Sequence, residues 1–115
     1  MDPIGLAIEI LKDNLDAEVS TELPKERPSR YVMVCLDGDS STELLLRPRL
    51  ALTCWGTSDR DANSLAISAI EALRDASLDH PYLSSCDLET LSREEWSRNG
   101  QSRYLAIITL TVNVD

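Results

Sequence analysis

The chain has 115 residues, 20 acidic against 11 basic, for a formal charge of −9. That length predicts a single domain over 1–115 with one core. The charge excludes nucleic-acid binding through a basic stripe, because such a surface repels phosphate.

An acidic surface has two readings. It keeps the chain soluble, or it lines a passage through which DNA slides without sticking. With no Phe, two Trp and three Tyr, the core is expected to be aliphatic. Cys35, Cys54 and Cys86 contain no CxxC pair, which argues against a disulfide framework or a zinc knuckle and fits a reducing cytosol. Ile4–Leu11 is too short for a signal peptide and is broken by Glu9. No stretch approaches the roughly 20 apolar residues of a membrane span.

Asp2-Pro3 opens the first element, Asp as cap and Pro at the first helical position. Leu6, Ala7, Ile10, Leu11 and Leu15 then repeat at helical spacing, predicting a helix over roughly 3–15. Val19–Leu23 alternates weakly, as a short strand does. Pro24 to Ser29 is a polar loop whose two prolines lack amide donors. Tyr31–Leu36 is apolar on both faces and reads as a central strand. Asp37-Gly38-Asp39-Ser40-Ser41 reads as a turn, after which Glu43–Arg47 returns as the second arm of a hairpin. Asp37 and Asp39 around Gly38 also suggest a calcium loop, but the other EF-hand ligands are missing. Pro48, between Arg47 and Arg49, predicts a bulge, bend or edge.

Leu50–Trp55 resumes as a strand, with Leu50, Leu52 and Cys54 on one face and Ala51, Thr53 and Trp55 on the other. Gly56-Thr57-Ser58 ends it. Ser58 and Asp61 form a capping-box pattern, and Asp59 and Asp61 suit the positive end of the helix dipole. Ala62, Leu65, Ala66, Ala69, Ile70 and Leu73 make the apolar stripe of a long helix, about 58–76. The connector Ser77–Ser85 carries the only His. Cys86–Leu91 reads as a strand and Arg93–Gln101 as an exposed loop. Arg103–Val114 is a long central strand. The order predicts an α+β fold: a mixed, mainly antiparallel sheet of about four to five strands, with the N-terminal helix and the long helix packed on it.

Catalytic equipment is not evident. His80 precedes Pro81 in a loop, no motif places a nucleophile at a sharp turn, and no P-loop or GxGxxG occurs. No enzyme, cofactor or metal is expected. Trp96 lies among Arg93, Glu94, Glu95 and Arg98. It is either a partner anchor or a residue folded back on its own domain. Arg47 and Arg49 pair with acids of their own surface or bridge to a neighbouring subunit.

The segment Arg47-Pro48-Arg49-Leu50-Ala51-Leu52-Thr53-Cys54-Trp55-Gly56-Thr57-Ser58, followed by the Ala62–Leu73 stripe, resembles a pattern of one protein family. It is similar to the tail-terminator proteins of long-tailed bacteriophages and prophages, also called head-to-tail connector or minor tail protein U-like proteins. The resemblance implies a virion protein of the tail or neck, present in the bacterial host cytoplasm during assembly. It implies a ring of identical subunits, typically a hexamer, that caps the tail-tube protein and meets the neck or head-completion proteins, with DNA passing through unbound. It makes Arg47, Pro48, Arg49, Asp37, Asp39, Arg93, Trp96 and Arg98 candidates for subunit or partner contact. Another neck component, such as a head-completion or stopper protein, is the neighbouring alternative. A small cytosolic α+β enzyme or ligand-binding domain is the alternative of a different class.

Overall fold

Spacing of apolar residues sets the first element. A computed structural model of the protein describes residues 2–22, 28–42, 45–94 and 102–113. Helix α1 (Pro3–Asn14) buries Leu6, Ala7, Ile10 and Leu11 and has Pro3 in its first turn. The expected Asp2 side-chain cap does not form. Instead the Asp2 carbonyl accepts from the Leu6 amide at 2.9 Å.

The described residues form six strands in one sheet. They are β1 (Glu18–Ser20), β2 (Tyr31–Asp39), β3 (Leu45–Leu46), β4 (Pro48–Gly56), β5 (Leu83–Glu94) and β6 (Ser102–Asn113). β1 pairs parallel with β2, and every other pairing is antiparallel. β4 lies between β2 and β6, and β5 takes the other side of β6. β3 sets Leu45 opposite Asn113 and Leu46 opposite Val112. That continues the register placing Arg49 opposite Thr109. β3 and β4 are therefore one strand interrupted beside Pro48, which has no amide to give the ladder.

Expectations for the strands shift as well. The turn over residues 37–41 is not there: β2 continues to Asp39, with a register shift between Leu36 and Gly38 that makes Asp37 the extra residue of a bulge. The hairpin closes further on, where Ser40 N–H donates to the Arg47 carbonyl at 3.0 Å and Thr42 N–H to that of Leu45 at 2.8 Å. The fifth strand is also longer than Cys86–Leu91 and takes in Arg93 and Glu94, which were expected in a loop.

Helix α2 (Asp59–Asp79) buries Ala62, Leu65, Ala66, Ala69, Ile70 and Leu73. Small alanines let it lie close on the sheet. Its start is tight: a Cβ on Gly56 would sit 2.4 Å from the Ala62 backbone nitrogen. The Asp61 N–H donates to Ser58 Oγ at 3.1 Å, and Asp61 Oδ2 accepts the Thr57 N–H at 2.9 Å. The capping box thus forms, with Asp reaching one residue beyond the cap itself. The Thr57 amide holds the Asp61 carboxyl below its usual range against the opposing effect of burial, and the Arg30 guanidinium lowers it further. The helix outruns the expected end at 76 and stops at His80, whose extended backbone suits a residue before proline.

Both helices cover one face of the sheet. Val32, Val34, Leu50, Leu52, Cys54, Ala106, Ile108, Leu110 and Val112 form the core beneath them. Each fully buried aliphatic side chain there contributes about 1.5–3 kcal/mol. Among the described residues no helix covers the opposite face. Its centre is apolar and half-buried: Met33, Cys35, Ala51, Leu105 and Ile107.

Candidate functional site

Five of the candidate residues come together at one end of the sheet. Alternation sends Arg47 and Arg49 to the open face, and Leu46, Pro48 and Leu50 to the helix face. The bulged Asp37 meets Arg49 on the open side: Asp37 Oδ2 accepts from Arg49 Nε at 2.8 Å and is paired with Nη2 at 2.8 Å. Arg49 Nε also lies 3.3 Å from Glu89 Oε2 on β5. The guanidinium therefore spans β6, above Thr109, its ladder partner, which is only 7% exposed. Arg49 thus pairs with acids of its own chain. Arg47 is exposed and has no ion pair among the described residues.

Asp39 turns to the helix side, opposite Pro48. Its Oδ1 accepts from the Ser41 amide at 2.8 Å and from the Ser41 hydroxyl. Those two bonds, the hydroxyl's first, hold its carboxyl below the ordinary value. A hydrogen-bonded elbow accounts for this aspartate.

Arg93 is not part of that group. It sits at the far end of β5, and its Nη2 is 3.0 Å from Asp59 Oδ2 in the first turn of α2. Trp96 and Arg98 lie outside the described residues. Trp55 packs at the same far end of the open face, 2% exposed, its ring stacked on Tyr31 at 4.7 Å with Arg103 5.9 Å from the ring centroid.

Sequence reasoning missed several surface features. Glu89 stands across β6 from Arg49 only because the β5 bulges set its register. Leu36, Leu45, Leu78 and Tyr82 are large apolar side chains left exposed, and all four belong to the end of the fold that carries the N-terminus of α1. The first turn of α1 divides this end. On one side is an open cleft of about 550 Å³ with Gly5, Leu6, Glu9, His80 and Tyr82. There His80 Nδ1 accepts the Tyr82 amide at 3.2 Å, so the imidazole closes its own turn. On the other side is a cleft of about 240 Å³ lined by Ile4, Leu36, Leu46 and Pro48, with Asp2 and Asp39 at its rim.

Cys54 and Cys86 are buried, and burial pushes their thiols up to about 12 and about 11. Neither is a nucleophile at neutral pH. Among the described residues no three His, Cys, Asp or Glu side chains converge as a metal site, and no helix is long and apolar enough to cross a membrane. Neither protein-family models nor curated proteins give a match to this chain.

Proposed function

We propose that the chain is a structural subunit, one that works through its surfaces and assembles head-to-tail into a ring. More particularly, it serves as the tail terminator of a long-tailed phage or prophage. In that role the ring caps the tail tube, joins it to the neck and lets DNA pass. The observation carrying this reading is the Arg47–Leu73 segment, similar in sequence to that family. Its residues form the interrupted strand β4, the tight turn at Gly56 and the alanine-faced helix α2. The charge of −9 suits a wall that DNA passes without sticking. A head-to-tail ring needs two different surfaces on each subunit.

The test is electron microscopy of polymerising tail-tube protein with and without the purified chain. Capping of one tube end and arrest of growth are expected. A chain that neither binds nor caps tubes overturns the reading. Binding to the head-side adaptor instead of the tube moves it to a head-completion or stopper protein.

A further inference from the structure

An open groove of about 270 Å³ runs between α1 and α2 on the outer side of the helix layer. Ile10, Ala72 and Ala76 give it apolar walls, and the exposed Asp13, Asp75 and Asp79 rim it. No ion pair among the described residues reaches any of these three carboxylates. Asp75 and Asp79 are one helical turn apart, where like charges repel. They also stand at the negative end of α2, whose last turn has no basic residue. Lys12 and Arg74 do not relieve them, because at about 100° per residue each points to the far side of its helix from the groove. The groove is therefore short of a cation.

The opposite side of the sheet carries the complement. Alternation sends Leu45 to the open face with Arg47. Leu45 is 39% exposed and sits across the ladder from Asn113. Arg47 is exposed, and no carboxylate pairs with it among the described residues. The acids on this side of the sheet are engaged elsewhere or stand apart. Asp37 and Glu89 are held by Arg49, and Asp87, on β5 opposite Thr109, makes no ion pair with Arg47. An unpaired guanidinium and an exposed apolar side chain thus stand two residues apart on one strand.

We propose that Arg47 of one copy of this chain enters the α1–α2 groove of the next, with Leu45 resting on the groove's alanines. Residues two apart on a strand are about 6.6 Å apart, and residues four apart on a helix about 6 Å. A strand laid along α2 therefore sets Arg47 at Asp75 and Asp79 when Leu45 lies on Ala72 and Ala76. Asp13 closes on the guanidinium from α1. The guanidinium offsets the repulsion among the three carboxylates, and Leu45 leaves water. The groove opens on the helix side of the sheet, and Leu45 and Arg47 stand on the other side. One neighbour cannot cover both, so each copy meets two neighbours and the contact is heterologous. This names the subunit contact of the proposed ring and rests on that reading.

The test uses the full chain and two charge reversals, Arg47→Glu and the double change Asp75→Lys with Asp79→Lys. All three positions are exposed, so both variants are expected to fold, and circular dichroism melts check this. Sedimentation velocity should show wild-type oligomers, with self-association of each variant alone weakened at least about thirty-fold, because like charges then meet. Mixing the two variants should restore assembly. The native Arg47 of the groove variant meets the native groove of the other, and the new Glu meets the new Lys pair, so the two alternate in a 1:1 ratio. Wild-type oligomers that both variants leave intact, or variants that weaken but do not rescue each other, overturn this contact and not the ring. A wild-type chain that stays monomeric at high concentration also overturns it, whereas the ring reading falls only with the tube-capping experiment.

Discussion

The two faces of the sheet come from the same strands and differ in what lies on them. On the helix side, Leu52 and Ile108 are fully buried. Their neighbours Ala51 and Ile107 point the other way and stay half-exposed. Stability therefore concentrates on one face, and the other is held by stacking at one end and by ion pairs at its margins. The strongest way to break this comparison is a matched pair. Ile108→Ala should cost about 2–5 kcal/mol, and Ile107→Ala, its sequence neighbour, about 1 kcal/mol or less. Urea unfolding measures both, and equal losses would show that the open face is covered in solution.

The next effect tests how closely the helix layer lies on the sheet. Gly56→Ala places a Cβ against the backbone of Ala62, and backbone cannot give as a side chain can. A loss of about 1–3 kcal/mol or more is expected. Gly38→Ala is the control. A Cβ there meets only ordinary contacts, the nearest at 3.7 Å, and the loss should be small.

The helix-covered face was the legible one. A period of 3.6 in α1 and α2 and a period of 2 in β4 and β6 marked their buried residues, because each faces one neighbour along its whole length. β5 was only partly legible. Its inward residues Leu83, Cys86, Leu88 and Leu91 are spaced three, two and three apart, since register shifts at Leu83/Ser85 and Leu88/Thr90 reset the alternation. Asp37-Gly38-Asp39 has turn chemistry, but ladder bonds to Pro48 and Arg49 extend β2 through it. Helix α2 runs past the expected end at Ala76 to Asp79, just before His80-Pro81. Pro48 marked the interruption between β3 and β4, whereas the cleft beside Ile4 and Leu36 depends on where α1 begins above the strands, which no local pattern encodes.

Cys54 and Cys86 probe the covered face without changing its shape. Their thiols stay protonated in the folded chain up to about pH 12 and 11, while unfolded cysteine ionises near pH 8.5. The unfolded state therefore binds fewer protons above that point, and stability falls as pH rises from about 9 toward those values. Each group adds a slope of up to about 1.4 kcal/mol per pH unit. Urea midpoints measured from pH 8 to 10.5 check the sign, and thiol-reactive probes should label Cys35, half-buried on the open face, well before the other two. At the start of α2, Ser58→Ala removes the cap acceptor and should cost about 1 kcal/mol.

The smallest effect belongs to the open face. Arg49 joins three strands through Asp37 and Glu89, yet its side chain is half-exposed, so water and salt weaken both pairs. Arg49→Ala should therefore change stability by about 0–1 kcal/mol, less at high salt. The same substitution also uncovers Thr109 and the apolar centre beside it. If the open face meets a tube or neck protein, binding should respond more strongly than folding does. Urea melts and tube-capping assays on one variant separate the two. A large loss of stability would place Arg49 with the buried framework, and unchanged melts with impaired capping would place it in the contact.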